Sequence, residues 1–376
     1  MTSIYEHLLT RPTYLEIDLG AISQNLKTIR KYIGDTKILC IVKGNAYGHG
    51  SIEISRILER EHVDYLGVAI PEEGVELRKA GITTPILVLS GIVDQQIPVC
   101  LEYNLSITIP SDMKLKRVIN YAESVGKKAR IHLKVDTGMS RIGVNYTRIE
   151  KFFPFLDSEY IHLEGLYSHF ACSDEDHEMN MLQIERFHEV INQFKKHGHS
   201  FDIIHMANSG GILFHPSSHF DMVRLGMSLY GLFEGKELPK EIHLIPAMSW
   251  KTEVVYFKYV EQGVGIGYGQ KAVTDKPTRI VTLPVGYADG YQRAMGEQGK
   301  VLIHGKKYPI IGKVCMDQMM VDIGITGEAY QGDEVVLLGN SGYECISFYD
   351  IARWSNTSIY ELMCQISYRV PRKYKE

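Results

Sequence analysis

The stretch Lys37-Ile38-Leu39-Cys40-Ile41-Val42-Lys43-Gly44-Asn45-Ala46-Tyr47-Gly48-His49-Gly50 decides the fold. Its apolar run, Ile38 to Val42, is too short for a helix and reads as a strand buried on both faces. A glycine-rich turn follows, and residues 51–61 then show helical periodicity. Strand, turn and helix make one β-α unit, and the unit recurs. Further strand-like runs fall at 65–69, 86–90, 106–109, 131–136, 162–168, 204–208 and 222–226. Most are separated by helix-patterned segments such as 71–80, 113–124 and 177–197. Pro71 with Glu72 and Glu73 is a sound helix start, because proline fits the first turn and the acids face the positive end of the dipole. Eight such units predict an α/β fold, a (β/α)8 TIM-like barrel, over a doubly wound sheet.

Beyond this the pattern changes. Residues 250–259, 279–284, 300–303, 307–311, 319–323 and 334–338 are short, rich in Val and Ile, and separated by glycine-containing turns. They predict a mostly antiparallel β domain, with a helix near 347–354. The expected division is a barrel over 11–240 and a C-terminal β domain over 241–376. Residues 1–10 are too short for a domain and are expected to pack with the β domain if with anything.

The 376 residues carry 41 Lys plus Arg against 45 Asp plus Glu, a formal net charge of −4. That balance offers no footprint for nucleic acid. No apolar run approaches the roughly 20 residues that span a bilayer, and residues 1–11 lack the apolar core of a signal peptide. Six scattered cysteines without a C-x-x-C pair suit free thiols in a cytoplasm. The 15 histidines form no H-E-x-x-H and no clustered ligand set, so no metal is expected. Tyrosine, at 23 against 12 phenylalanines, is in excess, which alone means little.

Barrel chemistry sits at the C-terminal ends of the strands. Lys43 ends the apolar run 38–42, the second after residues 13–19; it reads either as a solvated loop lysine or as a desolvated amine able to form a Schiff base. Lys134 lies inside an apolar strand, on the same face as His132 and Asp136, and reads as an internal Lys–Asp pair or as a modified lysine. His169 follows Gly165-Leu166-Tyr167-Ser168, and a lone histidine there is most simply a satisfied core residue. Ser209, in Asn208-Ser209-Gly210-Gly211, is a helix cap or part of a phosphate cradle. Arg224 sits in an apolar strand and needs a partner. A reactive lysine, late glycine-flanked turns and a buried arginine together point to a phosphate-bearing cofactor, pyridoxal 5'-phosphate (PLP).

Lys43-Gly44-Asn45-Ala46-Tyr47-Gly48-His49-Gly50 resembles the PLP-attachment motif of the alanine racemases. Residues 134–143, 165–170, 208–210, 224–231, Gly286-Tyr287-Ala288-Asp289-Gly290, 312–317 and Tyr360-Glu361 also resemble that family's motifs, in order, over nearly the whole chain. The resemblance implies a barrel followed by a β-rich domain, a head-to-tail homodimer with active sites between subunits, and interconversion of L- and D-alanine that supplies D-alanine for peptidoglycan. It implies that Lys43 anchors PLP and acts as one base. Tyr47, Ser209, Tyr360 and the backbone at Gly226 and Met227 would hold the phosphate, and Arg224 would face the pyridine nitrogen. His169 would bridge Arg224 and the second base, Tyr268, which comes from the partner subunit. Arg141 would bind near the cofactor's phenolic oxygen and the substrate carboxylate, which the Met316 backbone of the partner subunit would also hold. Lys134, the counterpart of a lysine carbamylated in many relatives, would position Arg141, and Tyr287 with Tyr360 would narrow the access channel. Tyr291 is a weaker member of the same tyrosine set.

The chain departs from the family pattern at Gly44, where Ala is usual, at Leu225, where Pro is frequent, and at Gly267, where Ser is common. Gly263-Val264-Gly265-Ile266-Gly267-Tyr268-Gly269 does not have the spacing of a nucleotide loop. Three alternatives stay open: a racemase of serine, lysine or broader specificity, a PLP decarboxylase of the same architecture, and a PLP-carrier protein. Decarboxylases usually carry an acid where Arg224 stands, and the carriers resemble only the barrel.

Overall fold

The computed structural model describes residues 10–175, 177–296 and 298–376. For residues 1–9, the expected packing with the β domain lies outside the described residues. The chain divides into two units, one of residues 21–246 and one that joins 10–20 to 247–376.

The first unit is the predicted barrel. Its strands are β1 (Lys37–Ile41), β2 (Tyr65–Val68), β3 (Ile86–Val88), β4 (Ser106–Ile109), β5 (Ala129–Asp136), β6 (Ile161–Tyr167), β7 (Ile203–His205) and β8 (Met222–Leu225). Each pairs in parallel with the next, and β8 closes on β1 from Met222↔Lys37 to Leu225↔Cys40. Crossover helices cover the outside. Ser51–Arg60 buries Ser51, Ile54, Ser55 and Leu58, an i, i+3, i+4, i+7 stripe. Pro71–Lys79 starts as its sequence predicts, with the Glu73 carboxylate accepting from the Ala69 and Ile70 amides at 2.7 and 3.4 Å.

One irregularity shapes the barrel interior. Between β5 and β6 the register jumps from Ile131↔Leu163 to His132↔Gly165, so Glu164 is an extra, bulged residue. Gly165 is required at this point: a Cβ there would lie 2.0 Å from His132 Nδ1.

The second unit holds the predicted β domain. One sheet runs in the order Lys306–Pro309, Lys300–Ile303, Glu334–Ser341, Met248–Glu253, Tyr14–Asp18, Arg372–Lys375, antiparallel except for its last pair. Tyr14–Asp18, which the sequence division placed at the start of the barrel domain, is therefore a strand of this sheet. Its alternating burial suits a sheet with one covered face. A second sheet orders Tyr256–Val260, Thr278–Leu283 and Met319–Asp322. The single strand expected over 250–259 is two strands, Met248–Glu253 and Tyr256–Val260, which join different sheets. Two helices, Phe348–Ser355 and Ile359–Gln365, complete the unit. Sequence reading found only the first. No helix among the described residues is long and apolar enough to cross a membrane.

Candidate active site

Lys43 stands two residues past the end of β1 and is half-buried. The backbone then turns left-handed for four successive residues, Gly44, Asn45, Ala46 and Tyr47, with φ of 61, 54, 52 and 50°. For residues other than glycine that region costs about 1–2 kcal/mol each, so the surroundings must hold the turn. The Gly44 amide donates to Glu73 Oε1 at 2.7 Å, and Asn45 Oδ1 accepts from the Ser51 amide at 2.8 Å. Glu73 thus caps its own helix and pins the turn beside Lys43. Sequence reading saw only the cap.

The turn buries Tyr47 and brings its hydroxyl to a shared point. A Cβ built on Gly226 would lie 3.5 Å from Tyr47 Oη and 3.6 Å from Ser209 Oγ. Ser209 Oγ accepts from the Gly226 amide at 3.2 Å. The cap of the short helix Ser209–Phe214 is Asn208, which leaves Ser209 to this cluster. Met227 and Ser228 follow Gly226 in a buried 3-10 turn, and Ser228 Oγ is buried without a hydrogen-bond partner. The Tyr47 and Ser209 hydroxyls and the Gly226 backbone form a cradle with the donor chemistry of a phosphate site, one that a Cβ at Gly226 would enter. The residues present fit PLP.

Arg224, 3% exposed, projects into the barrel. Its Nη1 donates to His205 Nδ1 at 2.9 Å. Its Nη2 lies within hydrogen-bond reach of Ser168 O at 2.8 Å, Met206 O at 2.7 Å and His169 Nδ1 at 3.0 Å. The partner that its burial demands is two imidazoles and two carbonyls rather than a carboxylate. Burial lowers its pKa to about 10, still far above neutrality. His169 is no isolated core histidine. Since arginine only donates, His169 accepts at Nδ1 and carries its proton on Nε2. Burial and then the Arg224 charge push its pKa well below the ordinary value, so the ring is neutral.

Lys134 is 4% exposed, and its Nζ has no hydrogen-bond partner. It lies 4.3 Å from the centroid of the Tyr167 ring. The Lys134–Asp136 pair is not formed: Asp136 Oδ1 instead accepts from the Gly138 and Ser140 amides at 2.9 and 3.0 Å. Burial, with the Arg224 and Arg141 charges, drives the Lys134 pKa well down. Arg141 itself is exposed.

The remaining candidates belong to the second unit. Tyr268 lies in the loop of a hairpin between Gly265–Ile266 and Ala272–Val273 and is 70% exposed. Met316 and Tyr287 are exposed neighbours: the Tyr287 and Ala288 amides donate to Cys315 O and Met316 O, both at 3.0 Å. Gly312 packs against Ile266 O, so the Tyr268 hairpin and the Met316 loop adjoin. Tyr360 is exposed on the helix Ile359–Gln365. Tyr291 is a correction: at 1% exposure, edge-on to Trp250, it is a core residue with no place at a channel.

Residues 17–234 match the family described as "Alanine racemase, N-terminal domain", and residues 247–374 match "Alanine racemase, C-terminal domain". The chain belongs to the alanine racemase family. It is similar to the alanine racemase of Halothermothrix orenii, 42% identical over 98% of each chain. Among solved structures it resembles the alanine racemase of Clostridium difficile 630, with a TM-score of 0.93, 38% identity and coverage of 98% of this chain and 97% of that one. It also resembles the Bacillus anthracis alanine racemase with bound L-Ala-P, with a TM-score of 0.92, 35% identity and coverage of 98% and 96%.

Proposed function

We propose that this chain interconverts L- and D-alanine on PLP, as a cytoplasmic homodimer whose product serves peptidoglycan synthesis. The observation that carries the cofactor reading is the cradle of Tyr47 Oη, Ser209 Oγ and the Gly226 backbone, with the unpartnered Ser228 hydroxyl beside it. Tyr360 and the Met227 backbone complete the phosphate contacts on the family resemblance.

When bound through Lys43, PLP supplies an electron sink for the substrate α-carbon. Racemisation then needs one base on each face. Lys43 Nζ moves a proton on one face, and Tyr268 Oη, contributed by a second copy of the chain, moves one on the other. Arg141 and the Met316 backbone of the second copy hold the carboxylate, Lys134 as its carbamate orients Arg141, and Tyr287 with Tyr360 restricts access. Arg224, a donor without an acceptor, does not hold a proton on the ring nitrogen. That favours racemisation over the decarboxylase reading.

The test is direct. Purified protein with PLP is given L-alanine, and D-alanine is sought by chiral chromatography, while borohydride reduction should fix the cofactor mass on the peptide that carries Lys43. Other L-amino acids run in parallel measure specificity. Absence of D-alanine overturns the proposal.

A further inference from the structure

Behind Arg224 the barrel interior carries a polar system whose other members have none of these roles. It starts at Arg224 Nη1, which donates to His205 Nδ1 at 2.9 Å. His205 Nε2 lies 3.0 Å from His132 Nδ1, and His132 Nε2 lies 3.2 Å from Glu164 Oε2. Glu164 accepts in addition from Tyr65 Oη at 2.7 Å, from Arg130 Nε at 2.9 Å and from Ser106 Oγ. Tyr65 and Ser106 are the first residues of β2 and β4, and Arg130 is the second of β5. Glu164 is thus clamped at the floor of the barrel, and the chain of bonds rises from there to the mouth. His132 and His205 are fully buried and Glu164 is 1% exposed.

The two ends of this chain fix everything between them. Arginine only donates, and an ionised carboxylate only accepts. His205 must therefore accept at Nδ1 and carry its proton on Nε2. His132 must do the same, because its Nε2 proton goes to Glu164. One polarity runs through both rings, and both rings are neutral. The backbone is built for this: the bulge at Glu164 aims the carboxylate inward, and Gly165 leaves room for the His132 ring.

From this geometry we infer that Glu164 and His132 are positioning residues of the active site: the carboxylate at the barrel floor imposes the tautomer of each histidine and so keeps a bare acceptor, His205 Nδ1, against Arg224. The inference rests on the reading of Arg224 as the group that faces the cofactor. The chain is a lock rather than a proton path. Burial would raise the Glu164 carboxyl, but hydrogen bonds from His132, Arg130 and Ser106 hold it well below the usual range, while Arg224 stays strongly basic. The proton therefore stays on Arg224.

A glutamine at position 164 removes the lock while keeping the volume. Its amide can donate to His132 Nε2, which permits the reverse tautomer of both rings and sets an N–H of His205 against an N–H of Arg224. An aspartate still only accepts.

The test uses the holoenzyme labelled with 15N-histidine. In the wild type, NMR should show His132 and His205 as neutral rings protonated on Nε2 only. Glu164→Gln should add an Nδ1-protonated population, and Glu164→Asp should not. Glu164→Gln should also lower kcat for alanine about tenfold, the scale at which outer partners of site residues act, with KM changed by less than about twofold and with partial recovery in Glu164→Asp. An Nδ1-protonated or charged His132 or His205 in the wild type overturns the lock, and this result stands even if the glutamine variant fails to fold. So does a folded Glu164→Gln enzyme with wild-type kcat. Failure of the functional reading looks different: no D-alanine from the wild type, whatever the histidine spectra show.

Discussion

Arg11 grips Asp289 across 278 positions of sequence, with Nη1 2.6 Å from Oδ1 and Nη2 2.7 Å from Oδ2. Asp289 is fully buried, and its Oδ2 also accepts from the Gly286 amide at 3.0 Å. The pair anchors the turn that bears Tyr287. Removing one partner of a buried pair leaves an uncompensated charge, at about 3–5 kcal/mol. Arg11→Ala should cost about 3 kcal/mol, the low end of that range, because Arg369 Nε remains 3.5 Å from Asp289 Oδ1. Chemical denaturation measures the loss, and an unchanged midpoint would show the pair to be dispensable.

Lys43→Ala and Tyr268→Phe proteins should each lose activity by at least about a hundredfold, as expected for removal of an acid–base group. If the site is shared, mixing the two and allowing subunit exchange should restore part of the wild-type rate, since one of the two hybrid sites holds both bases. No recovery after exchange has been demonstrated would place both bases in one chain.

Arg224→Glu should change the outcome of the reaction as well as its speed. A carboxylate can accept a proton from the ring nitrogen, where arginine has no acceptor, and so strengthens the electron sink and lengthens the life of the carbanion. The transamination by-product should rise relative to D-alanine, with pyruvate release against chiral product as the measurement. An unchanged ratio sinks the idea.

Stability should fall as the solution is acidified. Burial lowers the pKa of His132 and His205 below the unfolded value of about 6.5, so below that pH the unfolded chain binds protons that the folded barrel does not. The stabilisation is present in full above about pH 6.5 and is lost below it, by up to about 1.4 kcal/mol per pH unit for each ring. Glu164, held low when folded, acts in the same direction below its unfolded pKa of about 4.3. Denaturation midpoints at fixed protein concentration should drop between pH 7 and 5; a flat profile contradicts this.

Lys134 should react with carbon dioxide. A buried amine without a hydrogen-bond partner, its pKa driven down by burial and by the Arg224 and Arg141 charges, keeps a larger neutral, nucleophilic fraction than an exposed lysine does. Protein kept in 13C-bicarbonate should give a carbamate resonance that Lys134→Gln lacks. A wild-type spectrum without that signal leaves the amine unmodified.

The barrel was legible because each β-α unit repeats the same apolar-then-amphipathic pattern, and eight local readings agree. Lys43 and Arg224 stood out as candidates because each is a charged residue at the end of or within an apolar strand, whereas Ser209 read equally as an ordinary helix cap. The departure at Gly44 gains sense from the fold: glycine stands at the first position of a left-handed turn, where it is the residue without strain. The second helix of the β domain, Ile359–Gln365, went unread because it is only 7 residues long, about two turns.

The sequence by itself determined the repeat of elements, the change of pattern after the barrel and the residue types at the strand ends, since all of these depend on neighbours within one segment. Only the tertiary structure decided that Tyr14–Asp18 joins the C-terminal sheet, that Arg11 meets Asp289, and that Arg224, His205, His132 and Glu164 form one chain. Those partners stand 278, 19, 73 and 32 positions apart, and their meeting depends on strand order and on one bulged residue. A single extra residue in a strand reverses which side chains face inward, and no local pattern records where it falls.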